Sequence, residues 1–189
     1  PNKTAQQNMS GTAQKTHRSG SAARQGGVPT LPTSWTNPMY PQWQGDDITA
    51  NPGSNKQACA ALDAFASDGA NKGVTDAWNQ HYSVIKAANL ITESASKAPV
   101  AQDKINVALG NAHFWRAYAY YYLVRVFGPV PLITGTDVSQ LEVAPSSVEK
   151  VYELIVSDLK AAVNELPTKY EKEPSRLFGV DVWTTKQAA

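Results

Sequence analysis

Apolar and aromatic side chains recur at helical spacing through the middle of the chain. One stripe has the spacing i, i+4, i+7 and i+11 and consists of Trp78, Tyr82, Ile85 and Asn89. This spacing places its members on one face of an α-helix. Thr75 is a favourable N-cap residue, and Pro99 cannot continue a helix. We therefore expect a helix over residues 76–97.

The following segment, residues 100–127, is apolar on nearly every face of a helix. Its first stripe consists of Ile105, Ala108, Ala112, Trp115, Ala119, Tyr122 and Val126, and its second of Phe114, Tyr118, Tyr121 and Val124. Such a helix is buried between neighbours or lies in lipid. Arg116 and Arg125 disfavour lipid, because a guanidinium near the centre of a bilayer is costly. We expect a buried core helix that ends at Gly128, with both arginines partly buried and paired with carboxylates or helix-end carbonyls.

Three further helices are expected. A short one over residues 56–67 carries an apolar face made of Cys59, Leu62 and Phe65. The sequence Ser-Ser-Val-Glu is a capping box, with Ser146 as N-cap and Glu149 at the third helical position. The amphipathic stripe of this helix consists of Val148, Val151, Tyr152, Ile155, Leu159, Ala162, Val163 and Leu166. A last helix is expected to begin near Thr184.

These patterns predict an all-α fold of stacked helix pairs joined by long irregular loops. Residues 76–97 are expected to pack antiparallel to residues 100–127, where alanines interspersed among large side chains permit close approach. Helix pairs stacked on further pairs are the tetratricopeptide architecture. The chain has no strict repeat signature, so the periodicity by itself supports only an α-helical stack.

The chain divides near residue 75. Residues 1–75 comprise a polar N-terminal segment and a proline-rich loop region, whereas residues 76–189 form the tetratricopeptide-like helical region. The final sequence, Thr-Thr-Lys-Gln-Ala-Ala, is typical of the opening turn of a helix. We therefore expect the helical region to be truncated at its C-terminus.

Composition and motifs narrow the classes of function. The 189 residues are 42% apolar and carry a net charge of +1, so no global charge favours nucleic acid or anionic membranes. The single cysteine, Cys59, cannot form an internal disulfide or a multi-cysteine metal site. The three histidines lack metal-ligand spacing, and the chain has no nucleophile elbow, phosphate-binding glycine loop or dinucleotide fingerprint. We expect no catalytic residue, no cofactor and no metal site.

The proline-rich loop region carries the aromatic side chains best suited to ligand binding. Trp35, Tyr40 and Trp43 lie in residues 28–56, which have no helical periodicity. An indole offers a flat apolar face and a hydrogen-bonding edge, as suits a sugar ring or a peptide. Polar side chains suited to bonding ligand hydroxyl groups are Asp46, Asp47, Asn51 and Asn71. The alternative is that the indoles pack over the helices and fasten the loop to them.

Residues 111–134, NAHFWRAYAYYYLVRVFGPVPLIT, together with the preceding Gly110, resemble the signature of the SusD/RagB family. The matching residues are Gly110, Ala112, Phe114, Arg116, Ala117, Gly128, Val130, Pro131 and Leu132. Asn111 stands where the family has an acidic residue, so a salt bridge made by that acid is lost here. Similar segments occur in the family's order at residues 78–91, 146–167 and 184–189, and the first residues resemble a short Pro-Asn motif near the mature N-terminus.

The resemblance implies a non-enzymatic outer-membrane lipoprotein of the Bacteroidetes type. Such a protein lies at the cell surface, held by a lipid anchor outside this chain. It caps a SusC-like TonB-dependent transporter and delivers oligosaccharides to it, or peptides in some members. The resemblance also implies that a C-terminal part carries much of the ligand surface. The helices then face the transporter, the aromatic run is scaffold core, and residues 128–134 turn the chain away from that core.

Two alternatives stay open. The chain is a helical-repeat scaffold whose only partner is another protein, or it is a peptide-binding member of the same family. A glycoside hydrolase is disfavoured, because Asp46 and Asp47 form the only adjacent acidic pair and nothing points to a second group brought to them.

Overall fold

The computed structural model describes residues 44–46, 49, 57–137, 142–170 and 184–189. Its α-helices are α1 (Gln57–Asp63), α2 (Lys72–Ser94), α3 (Gln102–Phe127) and α4 (Val148–Glu165), and a 3₁₀ turn, Ala95–Lys97, follows α2. Within these ranges the only β-type pairing is an isolated antiparallel bridge between Val130 and Ser146. The predicted all-α fold is confirmed.

Helices α2 and α3 are antiparallel neighbours, as expected. Near the start of α2, Trp78 packs edge-on against Phe127 at the end of α3, with ring centroids 5.2 Å apart. Further along α2, Asn89 contacts Arg116, which lies earlier in α3. The order of the contacts reverses along the two helices, so the chain runs up one and down the other.

Helix α4 packs against the other flank of α3, again antiparallel. Arg116 bonds to Asp158 in the middle of α4, while Gly110, which precedes Arg116 in α3, lies beside Leu166 at the C-cap of α4. A Cβ atom on Gly110 would lie 2.7 Å from Leu166 Cγ. The missing side chain at this glycine therefore allows the end of α4 to approach the α3 backbone.

The hydrophobic core lies where the three long helices meet. Its buried members are Val84, Ile85, Ala117, Ala119, Tyr120, Leu123, Val124, Val130, Val151 and Ile155. Burying one large apolar side chain contributes about 1.5–3 kcal/mol relative to leaving it exposed, so this cluster is the main source of stability. None of the helices in the described part of the chain is long and apolar enough to cross a membrane.

Helix α2 begins earlier than the sequence predicts. Its N-cap is Asn71, whose side-chain oxygen accepts a hydrogen bond from the Gly73 amide at 2.8 Å. Thr75 lies inside the first turn and donates its hydroxyl to the Asn71 carbonyl at 3.2 Å. The prediction of Thr75 as N-cap is therefore wrong: Asn is as good a cap as Thr, and its carboxamide captures the free amide one turn earlier.

Helix α1 is shorter than the predicted span of residues 56–67. Cys59 and Leu62 are buried as predicted, but Phe65 is 73% exposed. The helix ends at Asp63, and Phe65 adopts a left-handed conformation with φ of 52°. This change of backbone direction turns the ring away from the face shared by Cys59 and Leu62, so its predicted place there is wrong.

The cap of α4 lies one residue later than predicted. Ser147 is the N-cap, and its hydroxyl accepts a hydrogen bond from the Lys150 amide. Ser146 was expected to be the cap, but its amide instead donates to the Val130 carbonyl at 2.9 Å. Pairing with Val130 holds Ser146 in an extended conformation, which leaves the capping role to the next serine.

The end of the described chain forms a turn. In residues 184–189 the Ala188 amide donates to the Thr185 carbonyl, and these residues form a turn and no α-helix. The helix expected to begin near Thr184 stays a prediction.

The outer face of α3 is more exposed than its apolar sequence predicts. Tyr118 and Tyr121 are 41% and 42% exposed, although the pattern predicted core positions for both. Arg125 is also exposed and lies over the Tyr121 ring, 5.0 Å from its centroid, so its predicted burial and pairing are wrong. The physical reason is geometric: α2 and α4 cover two flanks of α3, and within the described chain no helix covers the third.

A groove over a buried polar network

Gly128 redirects the chain after α3. It has a positive φ of 73°, a conformation that glycine adopts without steric cost, and its amide caps the helix by bonding to the Val124 carbonyl. The next residues were expected to lead away from the core. They instead run back across α2 and α3: Val130 is fully buried, and the Pro131 carbonyl accepts a hydrogen bond from the Tyr82 hydroxyl at 2.8 Å.

A buried ion pair lies beneath this returning segment. Arg116 donates to both carboxylate oxygens of Asp158, each at 2.7 Å, and its third bond goes to Asn89 Oδ1 at 2.8 Å. Both charged side chains are at least nine-tenths buried. Parallel bonds from a guanidinium to a carboxylate fix geometry as well as adding energy. The predicted burial and pairing of Arg116 are therefore confirmed, and one residue from each of the three long helices joins the network.

The network positions the backbone of the returning segment. Asn89 Nδ2 donates to the carbonyls of Ile133 and Gly135, at 2.8 and 3.1 Å. The Tyr120 hydroxyl accepts from the Ile133 amide at 2.7 Å and donates to its carbonyl. Because a buried backbone group without a partner costs free energy, these side chains replace the partners that a regular element would provide.

A groove of about 550 Å³ opens between α2 and the returning segment. Ile85, Leu132 and Val143 form its apolar lining, and the exposed Lys86 lies at its edge. Glu93 accepts hydrogen bonds from the amide and hydroxyl of Thr136, and the hydroxyl bond is the first cause that lowers the pKa of this carboxyl. The groove therefore combines an apolar floor with a polar rim, which are the usual components of a small-ligand site.

Two phenols and one imidazole of α2 and α3 are unsuited to proton transfer near neutral pH. Burial raises the pKa of Tyr120 to about 12 and also raises that of Tyr82. Burial lowers the pKa of His81, whose ring stacks on Tyr122 and bonds to the Ala77 carbonyl. At neutral pH these phenols stay protonated and this imidazole stays neutral, so they serve as fixed hydrogen-bonding and packing groups.

The residues predicted from sequence to bind ligand fall mostly outside the described ranges. These residues are Trp35, Tyr40, Trp43, Asp47 and Asn51. Asp46 is described and exposed. Asn71 uses both ends of its carboxamide in the structure, since it caps α2 and donates to the Ala58 carbonyl at 3.0 Å. The expectation that these residues share one site stays a prediction.

The sequence contains an indication of the buried network that the helical periodicity alone does not reveal. Asn89 and Asp158 lie on apolar stripes of their helices, where a polar side chain needs a partner. Arg116 was expected to pair with a carboxylate or a helix-end carbonyl, but the sequence pattern did not identify Asp158 as that partner. Polar residues on the apolar stripes of two helices that flank a buried arginine are a pattern from which such a network can be predicted.

Within the described ranges, no group of three or more histidine, cysteine or acidic side chains could hold a metal ion. His113 contacts Glu165 at 2.7 Å, as a pair that joins α3 to the end of α4.

The sequence profile of a SusD-like family, described as starch-binding and associating with the outer membrane, matches residues 31–189. A SusD-like protein (P2) of Formosa agariphila is 36% identical over 103 residues, which are 52% of this chain and 20% of that protein. The chain thus spans about a fifth of the length of the curated relatives it matches.

Solved structures share the fold. The crystal structure of a SusD-like protein from Bacteroides fragilis matches with a TM-score of 0.64 and 23% identity, over 78% of this chain and 28% of that one. A laminarin-binding SusD-like protein matches with a TM-score of 0.58 and 24% identity, over 63% of this chain and 26% of that one. The predicted tetratricopeptide-like stacking is confirmed by these likenesses.

Proposed function

The chain belongs to the SusD-like family, described as starch-binding and associating with the outer membrane, and we propose that the protein containing it captures oligosaccharides at the cell surface. The captured ligand passes to a SusC-like TonB-dependent transporter. The observation that carries the proposal is the profile match over residues 31–189, which includes both the proline-rich loop region and the helices.

The proposed role is binding without catalysis. The family is a sugar-binding one, and one fold neighbour is described as laminarin-binding. The network around Arg116 supports this role, because its polar groups bond to one another and to the backbone of the Ile133 segment. Groups engaged in this way hold a scaffold rigid.

We place the ligand contacts of this chain in residues 35–75. The proposed residues are Trp35, Tyr40, Trp43, Asp46, Asp47, Asn51 and Asn71. Stacking on an aromatic ring contributes about 0.5–1.5 kcal/mol beyond the burial of its area. Contacts of this strength suit a protein that must release its ligand to a transporter. A lipid anchor outside this chain holds the protein at the outer membrane.

Affinity electrophoresis of the full-length protein tests the proposal. Native gels containing starch, laminarin or another soluble polysaccharide should retard the protein relative to a polysaccharide-free gel, with serum albumin as the non-binding standard. Retardation by at least one polysaccharide, with the polymer left intact, supports the proposed function. If no polysaccharide retards the protein and a peptide library yields a ligand, the peptide-binding alternative is correct. If neither ligand class binds, the chain is a protein-only scaffold.

A further inference from the structure

A second hollow, of about 310 Å³, lies where the first turns of α2 meet the end of α3. It shares no lining residue with the groove beside Ile133. Ligand pockets measure roughly 300–1,000 Å³, so this hollow has the size of a site for a small ligand. Its described lining residues are Gly69, Val74, Thr75, Trp78, Asn79 and Phe127.

Trp78 provides the aromatic wall of the hollow. Its indole ring is half-buried and packs edge-on against Phe127, with ring centroids 5.2 Å apart. On its other side the indole lies tilted against Tyr82, with centroids 4.9 Å apart. Because two neighbouring rings already hold the indole, a ligand that packs on it loses little affinity to the ordering of this side chain.

Polar groups without a partner accompany the indole. Within the described ranges Trp78 Nε1 has no hydrogen-bond partner, and it is not among the buried polar atoms that lack one, so this N–H is accessible to solvent. The exposed carboxamide of Asn79 also has no partner in that part of the chain. Thr75 donates its hydroxyl to the Asn71 carbonyl, which leaves its oxygen lone pairs able to accept. The hollow therefore offers both donors and acceptors beside an apolar wall.

We propose that this hollow is a subsite for one sugar ring of a bound oligosaccharide, in addition to the aromatic side chains of the proline-rich loop region. The inference rests on the proposed function, which supplies the class of ligand. None of the described lining residues is charged, so the hollow suits a neutral ligand better than an anion or a cation. A sugar ring combines an apolar C–H face with a rim of hydroxyl groups, which match the face of the Trp78 indole and its hydrogen-bonding edge.

The hollow lies beside a residue that is already proposed to contact the ligand. Thr75, in its lining, bonds to Asn71 at the start of α2, so one oligosaccharide can contact both. Gly69 keeps the hollow open, because a Cβ atom at this position would have no atom within 4 Å. A larger side chain at residue 69 should therefore occupy space beside the indole without disturbing the fold.

Fluorine NMR of the full-length protein labelled with 5-fluorotryptophan tests the proposal. The probe is the hexasaccharide of the polysaccharide that retards the protein in native gels, which is maltohexaose for starch and laminarihexaose for laminarin. The Trp78 resonance is identified by its loss in Trp78→Phe, and it should shift saturably as the hexasaccharide is added. Gly69→Leu should abolish this shift while leaving the melting temperature unchanged within about a degree. Gly69→Ala, which adds a single carbon, is the matched control and should retain the shift.

The outcomes separate the subsite from the proposed function. A Trp78 resonance that does not move, in a protein that the polysaccharide still retards, overturns the subsite and leaves the proposed function intact. A shift that persists undiminished in Gly69→Leu also overturns the subsite, because the change then reaches Trp78 from a distant site. Asn79→Ala should weaken the affinity read from the Trp78 shift about fivefold, as expected for one hydrogen bond, and unchanged affinity would contradict the proposal. If no polysaccharide retards the protein, the proposed function fails and the subsite fails with it.

Discussion

At the scale of single residues, one buried ion pair holds the three long helices and the returning segment together. Arg116 joins Asp158 on α4 to Asn89 on α2, and Asn89 in turn holds the Ile133 carbonyl. Removing one member of a buried pair strands the other charge, which costs more than the pair itself contributes. The effect of substitution at these positions should therefore depend strongly on which partner remains.

Arg116→Met is expected to lower the free energy of unfolding by about 3–5 kcal/mol, because it leaves the Asp158 carboxylate buried and unpaired. Arg125→Met is the matched control, since Arg125 lies on the same helix but is exposed, and it should change stability by less than about 0.5 kcal/mol. Urea denaturation measures both. Adding Asp158→Leu to Arg116→Met should restore part of the loss, and equal effects of the two arginine substitutions would contradict the assignment.

His81 gives the fold a dependence on pH. Burial lowers the pKa of His81 from its ordinary value of 6.5, so the unfolded chain binds more protons than the folded chain once the pH falls below about 6.5. The contribution of His81 to stability is therefore complete above that pH and is lost as the pH falls toward the folded pKa. The unfolding free energy of wild type should fall between pH 7.5 and 5.5 by more than that of His81→Gln. Parallel pH profiles for the two proteins would show that His81 does not titrate in this way.

At the scale of elements, the sequence predicted the existence and order of the helices but not every cap and exposed face. Helix α3 was placed within two residues of its observed ends, because a Gly-Pro stop is unambiguous. The start of α2 was placed late, because Asn71 and Thr75 are both good caps and the choice depends on which carboxamide or hydroxyl reaches a free amide. The exposure of Tyr118 and Tyr121 was not predictable from periodicity, which gives the faces of a helix but not the number of its neighbours.

The contact between α3 and α4 depends on Gly110. In Gly110→Ala the new Cβ would lie 2.7 Å from Leu166 Cγ and 3.1 Å from Glu165 Cβ. Overpacking of this kind costs about 1–3 kcal/mol, which outweighs the gain of about 1 kcal/mol from better helix propensity. The expected net effect is a loss of up to about 2 kcal/mol in the free energy of unfolding. Gly69→Ala, with no atom within 4 Å of the new Cβ, is the control; a stabilised Gly110→Ala protein would show that α4 can shift freely.

At the scale of the whole molecule, the described helices form a scaffold, and all the proposed ligand residues except Asn71 lie before it in the chain. The scaffold could be predicted from sequence periodicity, because helix packing depends on local spacing and burial. The geometry of the ligand site could not be predicted, because Trp35, Trp43 and Asp47 have no periodic pattern that fixes their positions relative to one another. The groove beside Ile133 was also not predictable, since it depends on hydrogen bonds between residues more than forty positions apart.

Isothermal titration calorimetry of the full-length protein with its retarding polysaccharide, on wild type, Trp43→Ala and Asp47→Ala, tests whether residues 35–75 bind the ligand. Each substitution should weaken binding severalfold, as loss of about 1 kcal/mol from one stacking contact or hydrogen bond requires, with the melting temperature unchanged within about a degree. Arg125→Met, exposed and distant in sequence from the proposed site, should bind as wild type does. Unchanged affinity in both loop variants would place the ligand site outside residues 35–75.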